Sequence, residues 1–215
     1  ATELGNLESV DQYIEKSIYS TSLILNSFKK RKVKKIIYSS SSSVYGENTE
    51  CTEAALVNPL NIHASLKLSN EHLVKQFCHN YNVEYVVARI FNMYGGDDKF
   101  SIISKLIDSI TNNKKLNLIN NGAAIRDYIH VDDVAKIYYL LIKNNHHKLL
   151  NIGTGRGYSV KSIINYLTKD IDVQTINIAR PEISKSVANI DLLKSEIGDY
   201  NFRDVLDYIK NQIGI

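Results

Sequence analysis

Apolar and polar positions follow one another along the chain with two different patterns. A period near 3.6 runs through residues 7–31 and 62–80, which predicts two amphipathic helices. A short apolar strand is predicted at 34–39 and another strand at 149–152, and the run at 84–91 is typical of a strand that is buried on both faces of a parallel sheet. Because strands and helices alternate through the first two thirds of the chain, the pattern predicts an α/β fold with a parallel sheet.

The same patterns predict the remaining elements and the buried faces of the two long helices. Further helices are expected at 99–112, 131–144, 159–169 and 202–213, with a strand at 115–120. The apolar side chains expected to form the inward faces are Leu7, Val10, Ile14, Ile18, Leu25 and Phe28 in the first helix and Leu66, Leu73, Val74 and Phe77 in the second. The last third of the chain is more mixed, which indicates a small second lobe.

Composition places the chain among globular proteins. Hydrophobic residues make up 44% of its 215 positions. No apolar run approaches the roughly 20 residues that a membrane-spanning helix needs, and no signal peptide opens the sequence. The two cysteines, Cys51 and Cys78, have neither the spacing of a disulfide framework nor that of metal ligands. We therefore expect no metal, and we expect the protein in a reducing cytoplasm.

The charge of the chain argues against a nucleic-acid partner. The net charge is +3, which is too small to imply one. The single basic run, at 29–35, lies at the end of a predicted helix, where cations complement the helix dipole. We therefore expect neither nucleic acid nor a membrane as a partner.

A cluster of five serines marks the expected ligand site. Ser39–Ser43 closes the first predicted strand and leads into Val44-Tyr45-Gly46. Ligands of open α/β sheets bind beyond the carboxyl ends of the parallel strands, so the cluster indicates a binding site there. His63 and Lys67 follow on the next predicted helix, where a spacing of four residues places both on one face.

A second cluster, Gly153-Thr154-Gly155-Arg156-Gly157, follows the strand at 149–152. It does not have the Gly-x-Gly-x-x-Gly spacing of a dinucleotide fingerprint, because Tyr158 stands where the last glycine would be. A tight turn between a strand and a helix capped by Ser159 is the preferred interpretation, and a phosphate contact is the alternative.

Five motifs together resemble a known family. They are SSSSSVYG at 39–46, RIFNMYG at 89–95, RDYIHVDDVA at 126–135, NIGTG at 151–155, and RP at 180–181 followed by SVA at 186–188. In this order and spacing they resemble the extended short-chain dehydrogenases/reductases, namely the NAD-dependent epimerase/dehydratase family, and within it the UDP-glucose 4-epimerase type. The resemblance extends from Ala1 to about Ile190.

The resemblance implies a Rossmann-like parallel sheet, incomplete because its first strands are missing, with a smaller C-terminal substrate lobe. Residues 1–155 would form the C-terminal part of the NAD(P)-binding domain, with substrate-lobe segments interleaved at about 93–130, and residues 156–215 the substrate-binding lobe. In the family, the glycine-rich phosphate loop and the acidic residue that binds the adenosine ribose precede this region. We therefore expect an N-terminally incomplete member of the family, with an apolar sheet edge at 34–39.

The resemblance also implies roles for individual residues. In the family a tyrosinate takes a proton from a sugar hydroxyl while hydride passes to NAD, a serine binds the same oxygen, and a lysine four residues beyond the tyrosine lowers its pKa. The implied catalytic residues are Ser41, His63 and Lys67. Those implied for NAD or NADP are Ala1, Ser39, Ser40, His63, Lys67 and Ile90. Those implied for a nucleotide-diphosphate sugar are Ser41, Asn92, Arg126 and Arg180.

One departure from the family affects its chemistry directly, because His63 occupies the position of the catalytic tyrosine. A neutral imidazole with a reference pKa near 6.5 is able to act as a base at pH 7. The other interpretation is that His63 is a partly buried helix residue in a site with weakened chemistry, since Lys67 disfavours its protonation. Tyr45 is a further candidate base, although the family places it below the site. Two other segments differ from the family. The family often has a polar NAD contact near Leu4 and Asn-x-x-Gly-Thr at 17–21, and this chain lacks both, which removes contacts to the cofactor.

Two functions follow from the resemblance. The first is an NAD-dependent nucleotide-sugar epimerase or dehydratase that oxidises the sugar transiently at C4. The second is a catalytically impaired remnant that keeps a nucleotide-sugar pocket and a dimer surface. The family dimerises through a four-helix bundle, which implies a homodimer through helices 7–31 and 62–80. For Arg126 the alternative to a substrate contact is a salt bridge with Asp132 or Asp133. For Arg180 the alternative is a solvated cation in a loop.

Overall fold

The computed structural model describes residues 9–143, 146–167 and 173–215. The strands are β1 Lys35–Ser41, β2 Glu84–Ile90, β3 Asn92–Tyr94, β4 Leu116–Ile119, β5 Ile125–His130, β6 Leu149–Ile152, β7 Gly157–Ser159, β8 Thr175–Ile178 and β9 Lys185–Ser186. The helices are α1 Val10–Ile14, α2 Ser20–Phe28, α3 Ile62–Tyr81, α4 Ile102–Thr111, α5 Val131–Lys143, α6 Val160–Leu167, α7 Asp191–Ile197 and α8 Val205–Ile213. Residues 1–8 of the sequence, and the predicted helix ends at 144 and 169, lie outside the described residues.

The three predicted apolar strands form one parallel sheet. Its order is β1-β2-β6, with Lys35 opposite Glu84 and Val87 opposite Leu149. The prediction of neighbouring parallel strands is therefore confirmed. Strand β1 extends to Ser41, two residues beyond its predicted end, so the serines begin within the sheet. A 3₁₀ turn at Ser42–Tyr45 then ends it.

Helices cover both faces of this sheet. Successive residues of a strand point to opposite sides, so neighbouring residues of β2 pack against different helices. On one side Tyr85 of β2 packs in a cluster with Leu25, Val74 and Phe77 of α2 and α3. On the other side Val86 packs in a larger cluster whose helical members include Ile137, Leu141 and Leu193 of α5 and α7. The fold is thus a Rossmann-type α/β sheet, with the two long N-terminal helices packed together as predicted.

The predicted inward face of the first helix is partly wrong. A π-helical turn at Glu15–Tyr19 separates α1 from α2. Because a π turn holds one extra residue, it rotates the residues before it away from the stripe that Leu25 continues. Val10 and Ile14 are accordingly 59% and 44% exposed. Leu73 of α3, also predicted to face inward, is 38% exposed.

A second group of strands lies beyond the main sheet. Strand β5 pairs with β3 and β9 in parallel and with β7 antiparallel, while β4 pairs with β8 in a separate parallel pair. The sequence predicted only β4 of these, because the others have two to six residues each and polar or charged members interrupt their apolar pattern. Helices α4, α6 and α8 pack against them around a second core.

No helix of the described chain is long and apolar enough to cross a membrane.

Candidate active site

The serines at the end of β1 point in alternate directions and have different partners. The Ser39 hydroxyl lies 2.8 Å from the Tyr138 hydroxyl of α5, on one side of the sheet. Ser40 is buried and donates to the Glu71 carboxylate of α3 at 2.6 Å, on the other side. Ser41 accepts hydrogen bonds from the backbone N–H and the hydroxyl of Ser43, which cap the 3₁₀ turn. The alternation of a strand therefore separates the Ser40 hydroxyl from those of Ser39 and Ser41.

Helix α3 brings the lysine to this strand end. Asn61 caps the helix by accepting from the Ala64 N–H at 2.9 Å, so that His63 and Lys67 lie one turn apart on the same face. Lys67 Nζ donates to the carbonyl oxygen of Ser39 at 2.9 Å and lies 5.5 Å from the centre of the Tyr38 ring. Burial lowers the pKa of Lys67. The structure thus places Lys67 beside the serine cluster, as the sequence predicted.

His63 is half-buried at the start of the same helix. Burial, and then the positive charge of Lys67, lower the pKa of His63 to about 4. No hydrogen bond joins its ring to another residue in the described ranges. The imidazole is therefore neutral at pH 7 and free to accept a proton, but it is a weak base, since proton transfer is most efficient when the pKa lies near the working pH.

The tyrosines beside the site are not activated. The Tyr45 hydroxyl donates to Asn151 Oδ1 at 2.7 Å, and burial raises the pKa of Tyr45 to about 12. Burial likewise raises the pKa of Tyr38 to about 12, although its ring lies near Lys67. Neither phenol ionises readily at neutral pH, so neither is suited to act as a base there.

A buried ion pair beneath the site was not predicted from the sequence. Arg89 of β2 donates through Nε and Nη2 to the two carboxylate oxygens of Glu71 at 3.0 and 2.9 Å, and both side chains are buried. The Arg89 guanidinium also lies 4.9 Å from the centre of the Tyr45 ring. With Ser40, this network joins β1, β2 and α3 below the serine cluster. The sequence contained one signal of this pair, because Arg89 is a charged residue within the apolar run 84–91.

A second buried carboxylate explains the glycine cluster. Asp127 of β5 accepts from the N–H and hydroxyl of Thr154 and from the N–H groups of Gly155 and Ala188, at 2.7–3.2 Å. Burial nevertheless raises the pKa of Asp127. The backbone donors of the turn are thus already used, which agrees with a structural turn. Ser159 caps the following helix by accepting from the Ser162 N–H at 2.9 Å. Asp127 therefore fastens residues 154–155 and 188 to β5.

The residues predicted for the substrate lie on the second group of strands. Asn92 of β3 donates to the carbonyl oxygen of Asp127 at 3.1 Å. Arg126 forms a salt bridge with Glu182 at 3.1 Å. The alternative of a bridge from Arg126 to Asp132 or Asp133 is wrong, because those carboxylates pair with Arg203.

The remaining candidates are placed as follows. Ile90 ends β2 directly opposite Ser41, beside the serine cluster. Arg180 is exposed, and its backbone N–H and carbonyl form hydrogen bonds with the Asn120 side chain. Ala1 lies outside the described residues. Among the described residues there is no group of three or more His, Cys, Asp or Glu side chains that could hold a metal ion.

The model of the NAD dependent epimerase/dehydratase family matches residues 3–153 of the chain. The chain belongs to this family. Its strand order, its serine cluster and the position of Lys67 agree with that membership. The assignment of His63 to the position of the family's catalytic tyrosine stays a prediction from the sequence.

Curated relatives include epimerases and dehydratases. The chain is 29% identical over 218 residues to the UDP-glucose 4-epimerase of Dictyostelium discoideum, covering 87% of this chain and 63% of the relative. It is 26% identical over 191 residues to the dTDP-D-glucose 4,6-dehydratase of the same organism, covering 82% of this chain and 41% of the relative. The chain therefore spans less than two thirds of the length of these relatives.

Solved structures of family members share the fold. The UDP-N-acetylglucosamine 4-epimerase of Methanobrevibacter ruminantium M1, in complex with UDP-N-acetylmuramic acid, is 28% identical with a TM-score of 0.82, over 97% of this chain and 70% of that one. The UDP-glucuronic acid 4-epimerase of Bacillus cereus, in complex with UDP-glucuronic acid and NAD, is 25% identical with a TM-score of 0.86, over 94% and 67%.

Proposed function

We propose that the protein acts as an NAD-dependent nucleotide-sugar epimerase or dehydratase that oxidises its sugar transiently at C4. The observation that carries the proposal is the hydrogen bond from Lys67 to the Ser39 carbonyl, which fastens the helix that carries His63 and Lys67 to the strand end that carries the serines. Family membership supports the reaction class, since relatives include both epimerases and dehydratases.

The residues at the strand end suit the nicotinamide end of the cofactor. An ammonium has three donors, and among the described residues Lys67 uses one of them on Ser39, so two remain for ribose hydroxyls. We propose that Ser39, Ser40 and Ile90, at the ends of β1 and β2, border the same position, Ser40 through its backbone because its hydroxyl donates to Glu71. When bound there, NAD would supply the hydride acceptor. The choice between NAD and NADP rests with residues that bind the adenosine ribose.

The side chains of the site would handle the proton. Ser41 would hold the sugar hydroxyl by a hydrogen bond, and a ring nitrogen of His63 would take its proton. The positive charge of Lys67 would stabilise the oxygen as negative charge develops there. Because the pKa of His63 is about 4, the transfer to it would be slower than transfer to a lysine-activated tyrosinate.

The substrate would lie across to the second group of strands. We propose that residues 1–155 form the cofactor side, interleaved with substrate segments at about 93–130, and that 156–215 complete a substrate lobe. Asn92, Arg126 and Arg180 would bind the nucleotide diphosphate, since guanidinium groups give permanently charged contacts to phosphate.

Cytoplasmic location is proposed from Cys51 and Cys78, which are both free thiols buried in the fold.

We expect the 215-residue chain by itself to bind NAD weakly or not at all. The N–H groups of its glycine turn donate to Asp127, so they are not available to a pyrophosphate. Calorimetry with NAD should show no saturable binding at micromolar concentrations, with UDP as the control ligand for the substrate lobe. A micromolar dissociation constant, or NAD retained through purification, would contradict this expectation.

We also propose a homodimer through α1, α2 and α3. These helices leave a row of large apolar side chains exposed, and together these form a surface for a second copy. They are Val10, Ile14, Leu23, Ile24 and Leu73.

Replacing Leu73 with glutamate should convert the dimer into a monomer, because a charge at the centre of an apolar interface is left unpaired. Light scattering after size exclusion measures the mass. The matched control is Leu56→Glu, since Leu56 is exposed in a loop away from these helices. A monomeric natural chain, or a Leu73→Glu protein of unchanged mass, would be evidence against this surface.

A further inference from the structure

The salt bridge of Arg126 occupies the group that is proposed to bind phosphate. Arg126 Nη2 lies 3.1 Å from Glu182 Oε1, and Nη1 donates to the carbonyl oxygen of Ile125 at 2.9 Å. The two side chains are only 18% and 22% exposed. A phosphate that reached Arg126 would therefore meet a carboxylate that is already bound there.

Glu182 is held at this place by anchors on both sides of it. Before it, the backbone of Arg180 exchanges two hydrogen bonds with the Asn120 side chain, at 2.7 and 3.3 Å. After it, the Ser184 carbonyl accepts from the Ile125 N–H at 2.9 Å, and β9 pairs with β5. Only residues 181–183 lie between the anchors. The carboxylate is therefore presented to Arg126 by a short loop whose ends are fixed to the second group of strands.

A polar group without a partner lies next to this pair. The Tyr128 hydroxyl is buried and makes no hydrogen bond within the described ranges. Tyr128 stands two residues after Arg126 on β5, so the two side chains leave the same face of the strand. Burial raises the pKa of Tyr128 to about 12. The charge of Arg126 lowers this pKa and the charge of Glu182 raises it, so both groups are near the hydroxyl. A buried hydroxyl without a partner is rare, and it suits a ligand that brings an acceptor.

We propose that Glu182 is a displaceable internal anion that sets the affinity of Arg126 for a nucleoside diphosphate. The proposal rests on the proposed function, which gives Arg126 to the diphosphate. On binding, a phosphate oxygen replaces the Glu182 carboxylate at the guanidinium, and the Tyr128 hydroxyl donates to the same phosphate. The released carboxylate, fixed near the phosphate by its anchors, opposes binding by repulsion between like charges.

Replacing Glu182 with glutamine tests this directly, because it removes the charge and keeps the shape. UDP is the probe, and calorimetry gives its dissociation constant at low salt. We expect Glu182→Gln to bind UDP on the order of tenfold more tightly than the natural chain, a modest factor because the pair is partly exposed and screened. Tyr128→Phe should bind several-fold more weakly. The matched control is Asp108→Asn, which removes one negative charge from an exposed pair with Lys114 and should leave the affinity unchanged.

The outcomes separate this inference from the proposed function. Weaker binding by Glu182→Gln would mean that Glu182 orients Arg126, and it would overturn the inference, as would an unchanged affinity or absent binding in both proteins. Unchanged affinity in Tyr128→Phe would remove the hydroxyl from the site. Unchanged affinity in Arg126→Ala would instead defeat the assignment of Arg126 to the diphosphate, whatever Glu182 does.

Discussion

Replacing His63 with tyrosine should raise the rate of sugar oxidation by on the order of a hundredfold, which is the scale of a well-placed acid or base. Ser41 and Lys67 are already in position, and the charge of Lys67 one helical turn away would lower the pKa of the new phenol. The measurement compares the variant with the natural protein by turnover of a UDP-sugar and by formation of reduced nicotinamide, in the full-length protein and with NAD in excess, because the 215-residue chain by itself is expected to bind NAD weakly. A variant that folds and binds UDP but oxidises no faster would show that the site has lost more than its tyrosine.

The pH dependence of the natural protein tests His63 itself. The sequence alone suggested activity that rises through the usual histidine range near pH 6.5. The structure moves this rise to about pH 4, because burial and Lys67 disfavour the charged ring. Only the neutral ring accepts a proton, so activity due to His63 should be lost on acidification through about pH 4 and should be flat from pH 5 to 9.

Two variants complete the test of His63. His63→Ala should lower turnover on the order of a hundredfold if His63 is the base. The control is His72→Ala, an exposed histidine on the same helix. Equal rates for the natural protein and His63→Ala would end the case for a catalytic histidine. NMR titration of the ring, which needs no activity, should give a pKa near 4.

Replacing Glu71 with alanine should destabilise the fold by about 3–5 kcal/mol, the typical effect of removing one partner of a buried ion pair. The substitution would leave Arg89 charged and buried and Ser40 without its acceptor. Among the described residues, the guanidinium would keep its contact with the Tyr45 ring but no carboxylate partner, and its Nη1 already has no hydrogen-bond partner. Denaturant unfolding followed by circular dichroism measures the change.

A double variant separates the cost of an unpaired charge from the value of the pair. Glu71→Leu with Arg89→Leu removes both charges, and it should be less destabilising than Glu71→Ala alone, because no charge remains buried without a partner. Asp108→Ala, which breaks the exposed pair with Lys114, should have little effect. If the double variant were the less stable protein, the pair would contribute net stability beyond the cost of burying its charges.

Much of the scaffold could be predicted from local pattern. The three predicted strands form the β1-β2-β6 sheet, since a short, mainly apolar run suits a strand covered on both faces. The five serines lie at the carboxyl end of β1. This is the end at which open parallel sheets bind their ligands. The spacing of four between His63 and Lys67 placed both on one face of α3.

Other features depended on contacts between distant parts of the chain. The pairs Arg89–Glu71 and Arg126–Glu182, and the four hydrogen bonds to Asp127, join segments that the fold brings together, so no local period reveals them. The pKa of His63 likewise depends on how deeply α3 packs beside the sheet. Periodicity determined which elements form and which way their ends point. Only the tertiary structure decided which charges are buried and paired, because burial and partners are properties of the packed chain.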